Sequence, residues 1–118
     1  MEKVQFINLE DGDDIIISLS FSEGGKFGID GFTIQRCPKL ESILLPNDRG
    51  ASIAWDEDDI VVLLDKVSCS RDIITFETRG KIQKHEFEIS GLSDNDFEDL
   101  KNHLNLINFD NSFKLKFG

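Results

Sequence analysis

Through its first two thirds the chain alternates apolar with polar residues, the period of a β-strand, and only after Ser93 does the spacing turn helical. Residues 14–21 carry the alternation most clearly: Ile15, Ile17, Leu19 and Phe21 share one face, Ser18 and Ser20 the other. Residues 4–9 read as the preceding strand, joined to it by the acidic turn Glu10, Asp11, Gly12, Asp13. A third strand over residues 31–37 stops at Pro38, which lacks the N–H that a sheet ladder needs. The pattern weakens over residues 39–50, where Pro46, Asn47, Asp48 and Gly50 supply turn chemistry. A short strand over 51–55 runs into the acidic stretch Asp56, Glu57, Asp58, Asp59. An antiparallel meander over 60–68, 73–79 and 82–90 follows, turning at Ser70, Arg71, Asp72 and around Gly80. Residues 60–64 are apolar on both faces, which marks a central strand.

The helix begins on a strong local signal. Ser93 and Asp96 have the S-x-x-D spacing of a capping box, with Leu92 and Phe97 at the staple positions beside it. Asp94, Asp96, Glu98 and Asp99 place negative charge at the positive end of the helix dipole. Phe97, Leu100, Leu104 and Ile107 recur at three, four and three residues, one buried stripe on a helix over 94–107. Residues 112–117 return to alternation, Phe113, Leu115 and Phe117 inward against Lys114 and Lys116. The expected architecture is α+β: a curved antiparallel sheet or half-barrel of six to eight strands with one helix packed on it. With 118 residues, one domain spanning 1–118 is expected, long enough to bury a core without disulfide or metal.

Chemistry is harder to find than structure. A catalytic site needs a nucleophile, a base and an orienting group within hydrogen-bond reach. The only histidines, His85 and His103, fall on a strand face and near the helix C-terminus, where structural roles suffice. No G-x-S-x-G, H-E-x-x-H, P-loop or G-x-G-x-x-G motif occurs. The acidic clusters lack EF-hand spacing, and Cys37, Cys69, His85 and His103 lack zinc-finger spacing, so neither metal nor cofactor is expected. No catalysis is expected either.

What remains is surface. Lys plus Arg is 13 against 23 Asp plus Glu, a formal charge of −10, which repels phosphate backbones and anionic lipids. It suits a basic protein partner, although acidity also serves solubility alone. The first candidate contact surface is Trp55, Asp56, Glu57, Asp58 and Asp59; the second is Glu10, Asp11, Asp13 and Asp14. Cys37 and Cys69, without C-x-x-C spacing, read as free thiols in a reducing compartment. The first ten residues hold no signal-peptide core, so the expected location is the cytoplasm, away from membranes.

The stretches KVSCSRDIITFETRG and HEFEISGLSDNDFEDLKNHLNLI resemble the C-terminal half of small immunity proteins of bacterial polymorphic-toxin systems, most of all the family numbered ten. GFTIQRCP resembles an earlier strand of that family carrying a Q-R pair. The resemblance spans residues 31–109 and implies a stoichiometric, non-catalytic inhibitor of a cognate toxin. A dense acidic face is what would block the basic cleft of a toxin that cuts nucleic acid. A small acidic secretion chaperone is the alternative; its usual N-terminal helix is replaced here by a strand pattern.

Overall fold

The computed structural model describes residues 2–21, 31–41, 43–45, 49–54, 62–80 and 84–118. Among them run β1 (Glu2–Asp11), β2 (Ile15–Phe21), β3 (Gly31–Arg36), α1 (Pro38–Glu41), β4 (Ser52–Ala54), β5 (Val62–Cys69), β6 (Ile73–Thr78), β7 (Lys84–Glu88), α2 (Asp94–Ile107) and β8 (Lys114–Phe117). The strands form one sheet in the order β4-β3-β2-β1-β7-β6-β5-β8, and β4 also pairs with β5, so the sheet curls back on itself. The fold is thus α+β, a curved sheet with a helix in its C-terminal half. No helix among the described residues is long and apolar enough to cross a membrane.

Two strands turn the corners. β1 pairs with β7 through Glu2 and Lys3, then with β2 from Val4 onward, and its register shifts between Val4 and Phe6. β5 pairs with β4 through Val62 and Leu63, then with β6 from Leu64 onward, and its register shifts between Leu64 and Lys66. Each irregularity falls where the strand changes partners, which is how bulges bend sheets into corners. Each also inverts the alternation. Val4 faces the core before the shift, whereas Ile7 and Leu9 pack against it afterwards, leaving Phe6 47% exposed.

The sheet is mixed rather than antiparallel throughout. β1–β7 and β5–β8 run parallel, and β8 lies beside β5 in the register Lys66↔Lys114 to Cys69↔Phe117. The terminal strand therefore departs from expectation: Phe113 is buried and Leu115 half-buried, but Phe117 is 40% exposed. The weakly patterned stretch after Pro38 contains the single helical turn α1, which Pro38 opens.

Elsewhere the faces match the alternation. Ile15, Ile17, Leu19 and Phe21 are all buried, as are Ile74, Phe76, Phe87 and Ile89. In the centre the Phe32 ring lies 4.9 Å from both Phe76 and Phe87, and 5.3 Å from His85. α2 closes the open end of this core with Leu100, Leu104 and Ile107, each fully buried. Ser93 caps it, its Oγ accepting from the Asp96 amide at 3.1 Å. Phe97 departs from the expected stripe: it is half-buried at the rim, between the Arg71 and Lys101 cations at about 5 Å.

Candidate interaction surface

The register of β1, β2 and β3 sets Asp11, Ile15 and Arg36 in one row across the sheet. Neighbouring strands lie about 4.8 Å apart, so the acidic β1–β2 turn stands about 10 Å from Arg36. Arg36 continues the inward face of β3 after Phe32 and Ile34 and is only 3% exposed. A charge there requires partners. Its Nε and Nη2 donate to the two Glu41 carboxylate oxygens at 2.7 and 2.8 Å. Its Nη1 and Nη2 donate to the two Asp110 oxygens at 2.8 and 2.7 Å. Nη1 also reaches the Ile107 carbonyl and the Ser112 hydroxyl, both at 3.0 Å. The Phe109 ring covers the guanidinium at 4.1 Å.

This network ties β3 to α1 and to the chain leaving α2. The last turn of α2 carries no basic residue of its own, and Arg36 supplies the cation that the negative helix end favours. Burial alone would lower the Arg36 pKa, but the bonds to Asp110 and Glu41 outweigh it and the net shift is upward. The same contact holds the Asp110 carboxyl down at about 2. His103 does not serve the helix end; its Nε2 lies 2.7 Å from the Glu10 carbonyl, bracing the tip of the β1–β2 hairpin against α2. His85 is half-buried against Phe32, and burial lowers its pKa.

Trp55, Asp56, Glu57, Asp58 and Asp59, the preferred contact surface from sequence, lie outside the described residues. Glu10, Asp11, Asp13 and Asp14 are all exposed at one end of the sheet. What they adjoin was not anticipated. Leu40 is 59% exposed, Ile43 81%, Leu44 41% and Leu45 72%, a run of large aliphatics facing solvent. Single exposed leucines are ordinary, but four large exposed aliphatics within six residues, two of them lining one recess, are the composition of an interaction site. The backbone beneath them is held firmly. Glu41 is locked to Arg36, the Leu44 carbonyl accepts from Arg49 Nε and Nη2 at 3.1 and 2.9 Å, and the Arg49 carbonyl accepts from Arg79 at 3.3 Å.

A recess of about 350 Å³ separates this segment from the acidic turn. Leu40, Leu44 and Leu63 give it aliphatic walls, and Asp14, Gln35 and Ser52 contribute polar groups. Asp14 hydrogen-bonds Cys37 at its edge, raising the pKa of that half-buried thiol. Among the side chains that line the recess, the carboxylates of Asp14 and Glu41 outnumber the single cation Arg36, and Arg79 approaches from behind Gly50. Among the described residues no group of His, Cys, Asp and Glu has the arrangement of a metal site. Cys37 and Cys69 are free thiols, and burial pushes that of Cys69 up to about 11.

The inward Arg36 had a sequence signal, since strict alternation from Phe32 and Ile34 puts it on the core face. The aliphatic run had one too, but it was hidden by the weak periodicity of residues 39–50. Compared with known families, curated proteins and solved structures, the chain matches none.

Proposed function

We propose that this chain is a non-catalytic immunity protein, which acts in the cytoplasm by binding and neutralising a cognate bacterial toxin domain with a basic surface. The observation that carries the reading is the meeting of Asp14, from the acidic β1–β2 turn, with the exposed Leu40 and Leu44 in the lining of one recess, with the exposed Ile43 and Leu45 next to Leu44 in the chain. An apolar centre with a charged border is the anatomy of a protein–protein interface. The surplus carboxylates accelerate the approach of a basic partner, and the aliphatics, once desolvated, slow its departure. Arg36 holds Glu41 and Arg49 holds the Leu44 carbonyl, and such preformed contacts lower the ordering cost of binding.

Co-expression with the protein encoded beside this chain, taken as the candidate toxin domain, tests the proposal. The two are expected to co-purify as a stoichiometric complex, and the chain is expected to restore growth of cells that express the toxin domain. An on-rate that falls steeply with added salt is the accompanying kinetic signature. Failure of both co-purification and growth rescue rejects the reading.

A further inference from the structure

We infer that the recess between the β1–β2 turn and α1 receives a single lysine or arginine side chain of the basic partner, with Leu40, Ile43, Leu44 and Leu45 covering the partner's apolar surface around it. The inference rests on the functional reading above and specifies where and how contact is made. A long basic side chain has an aliphatic stem and a charged head, and it is best held where both are served. Here Leu40, Leu44 and Leu63 line the walls for the stem, while Asp14 lies at the edge for the head.

The local charge admits a cation. The Arg36 guanidinium beside the recess would repel one if it stood alone, but Glu41 and Asp110 both contact it, and that trio carries one net negative charge. The Glu41 oxygens that face Arg36 each have a second lone pair, whereas Asp110 Oδ1 also accepts from the Ser112 amide at 3.1 Å. Asp13 and Asp14 add further negative potential at the entrance. Of the charged side chains that line the recess, Asp14 and Glu41 are anionic and Arg36 is the one cation, already bound by Glu41 and Asp110, so charge and shape together favour a basic protein side chain as the occupant.

The anchor is prebuilt rather than formed on contact. Each leucine amide closes a turn on the chain before it, Leu40 on the Cys37 carbonyl at 3.1 Å and Leu44 on the Glu41 carbonyl at 3.0 Å. Such preorganised pockets concentrate binding energy in a few residues.

The experiment measures association and dissociation of the full chain with the neighbouring toxin domain. Wild type is compared with Leu44→Ser, Ile43→Asp, Asp14→Asn and, on the distant β8, Lys116→Ala. Leu44→Ser and Ile43→Asp should each weaken binding about tenfold or more, mainly through faster dissociation. Asp14→Asn should slow association and flatten its salt dependence, whereas Lys116→Ala should bind as wild type does. All the altered side chains are exposed, and thermal melts are run to check that each variant folds. If wild type binds and Leu44→Ser, Ile43→Asp and Asp14→Asn bind equally well, the docking inference is overturned while the functional reading stands. If wild type itself forms no complex, the functional reading fails and takes the inference with it.

Discussion

Arg36 and Asp110 meet edge to edge, Nη1 on Oδ1 at 2.8 Å and Nη2 on Oδ2 at 2.7 Å, across 74 residues of chain. Paired two-point contacts of this kind are the strong form of a charged hydrogen bond. Replacing Arg36 by Met removes the cation and leaves Glu41 buried at 8% exposure without its partner. Breaking a buried ion pair from one side typically costs about 3–5 kcal/mol. Arg36→Met should therefore lower the urea midpoint sharply, and Arg36→Met combined with Glu41→Leu should recover part of the loss. A single variant as stable as wild type would mean that the network contributes nothing net.

The same contact sets a response to acid. Asp110 titrates at about 2 in the folded chain against 3.8 ordinarily, because Arg36 hydrogen-bonds its charged form. A depressed folded pKa gives stability that is fully present above the unfolded value and is lost as pH falls through the folded one. The window therefore runs from 3.8 down to about 2. Urea midpoints measured across it should fall less steeply for Asp110→Asn than for wild type. Parallel curves would show that Asp110 plays no part in acid unfolding.

Much of this fold is legible in the sequence, for identifiable reasons. β2 alternates without interruption because its register with β3 is regular and the extra residue in its pairing with β1 falls on β1. The limits of α2 are legible because a side-chain cap starts it at Ser93 and its apolar stripe ends at Ile107. β1 is less readable: Val4, Phe6, Ile7 and Leu9 fit no single period, since a bulge exchanges the two faces midway. The parallel placement of β8 depends on contacts with β5 from about fifty residues upstream, which local pattern cannot encode. Arg36 on an inward position announces a buried ion pair, but not that Glu41 and Asp110 complete it. The aliphatic run beside α1 escapes notice because one helical turn is too short to show a period.

Thiol chemistry reports on the recess. Asp14 raises the Cys37 pKa by hydrogen-bonding the thiol, and burial raises that of Cys69 to about 11. The thiolate is the reactive form, so both cysteines should alkylate slowly in the native chain at neutral pH. Half-buried Cys37 should react before Cys69, which is 2% exposed. Asp14→Asn should accelerate modification of Cys37 and leave Cys69 unaffected, as followed by intact-mass spectrometry under iodoacetamide. An unchanged Cys37 rate would show that the hairpin tip and α1 do not touch as described.

The helix gives the sharpest stability test, because its residues sit in three different environments. Ser93 accepts from the Asp96 amide, and removing such a cap costs about 0.5–2 kcal/mol, so Ser93→Ala should lie in that range. Leu104 is fully buried against the sheet, and Leu104→Ala should cost about 2–5 kcal/mol through lost contact and the cavity left behind. Sequence spacing puts Phe97 on the same stripe, where truncation would cost about 3–5 kcal/mol if the ring were enclosed. The ring is instead half-buried, with Arg71 at 5.1 Å and Lys101 at 5.0 Å from its centroid. Phe97→Ala thus removes partial burial and two exposed cation–π contacts, each worth about 0.5–1 kcal/mol. It should destabilise less than Leu104→Ala, despite the larger side chain deleted. Chemical denaturation of the three variants decides the order, and a Phe97→Ala loss exceeding that of Leu104→Ala would place the ring inside the core after all.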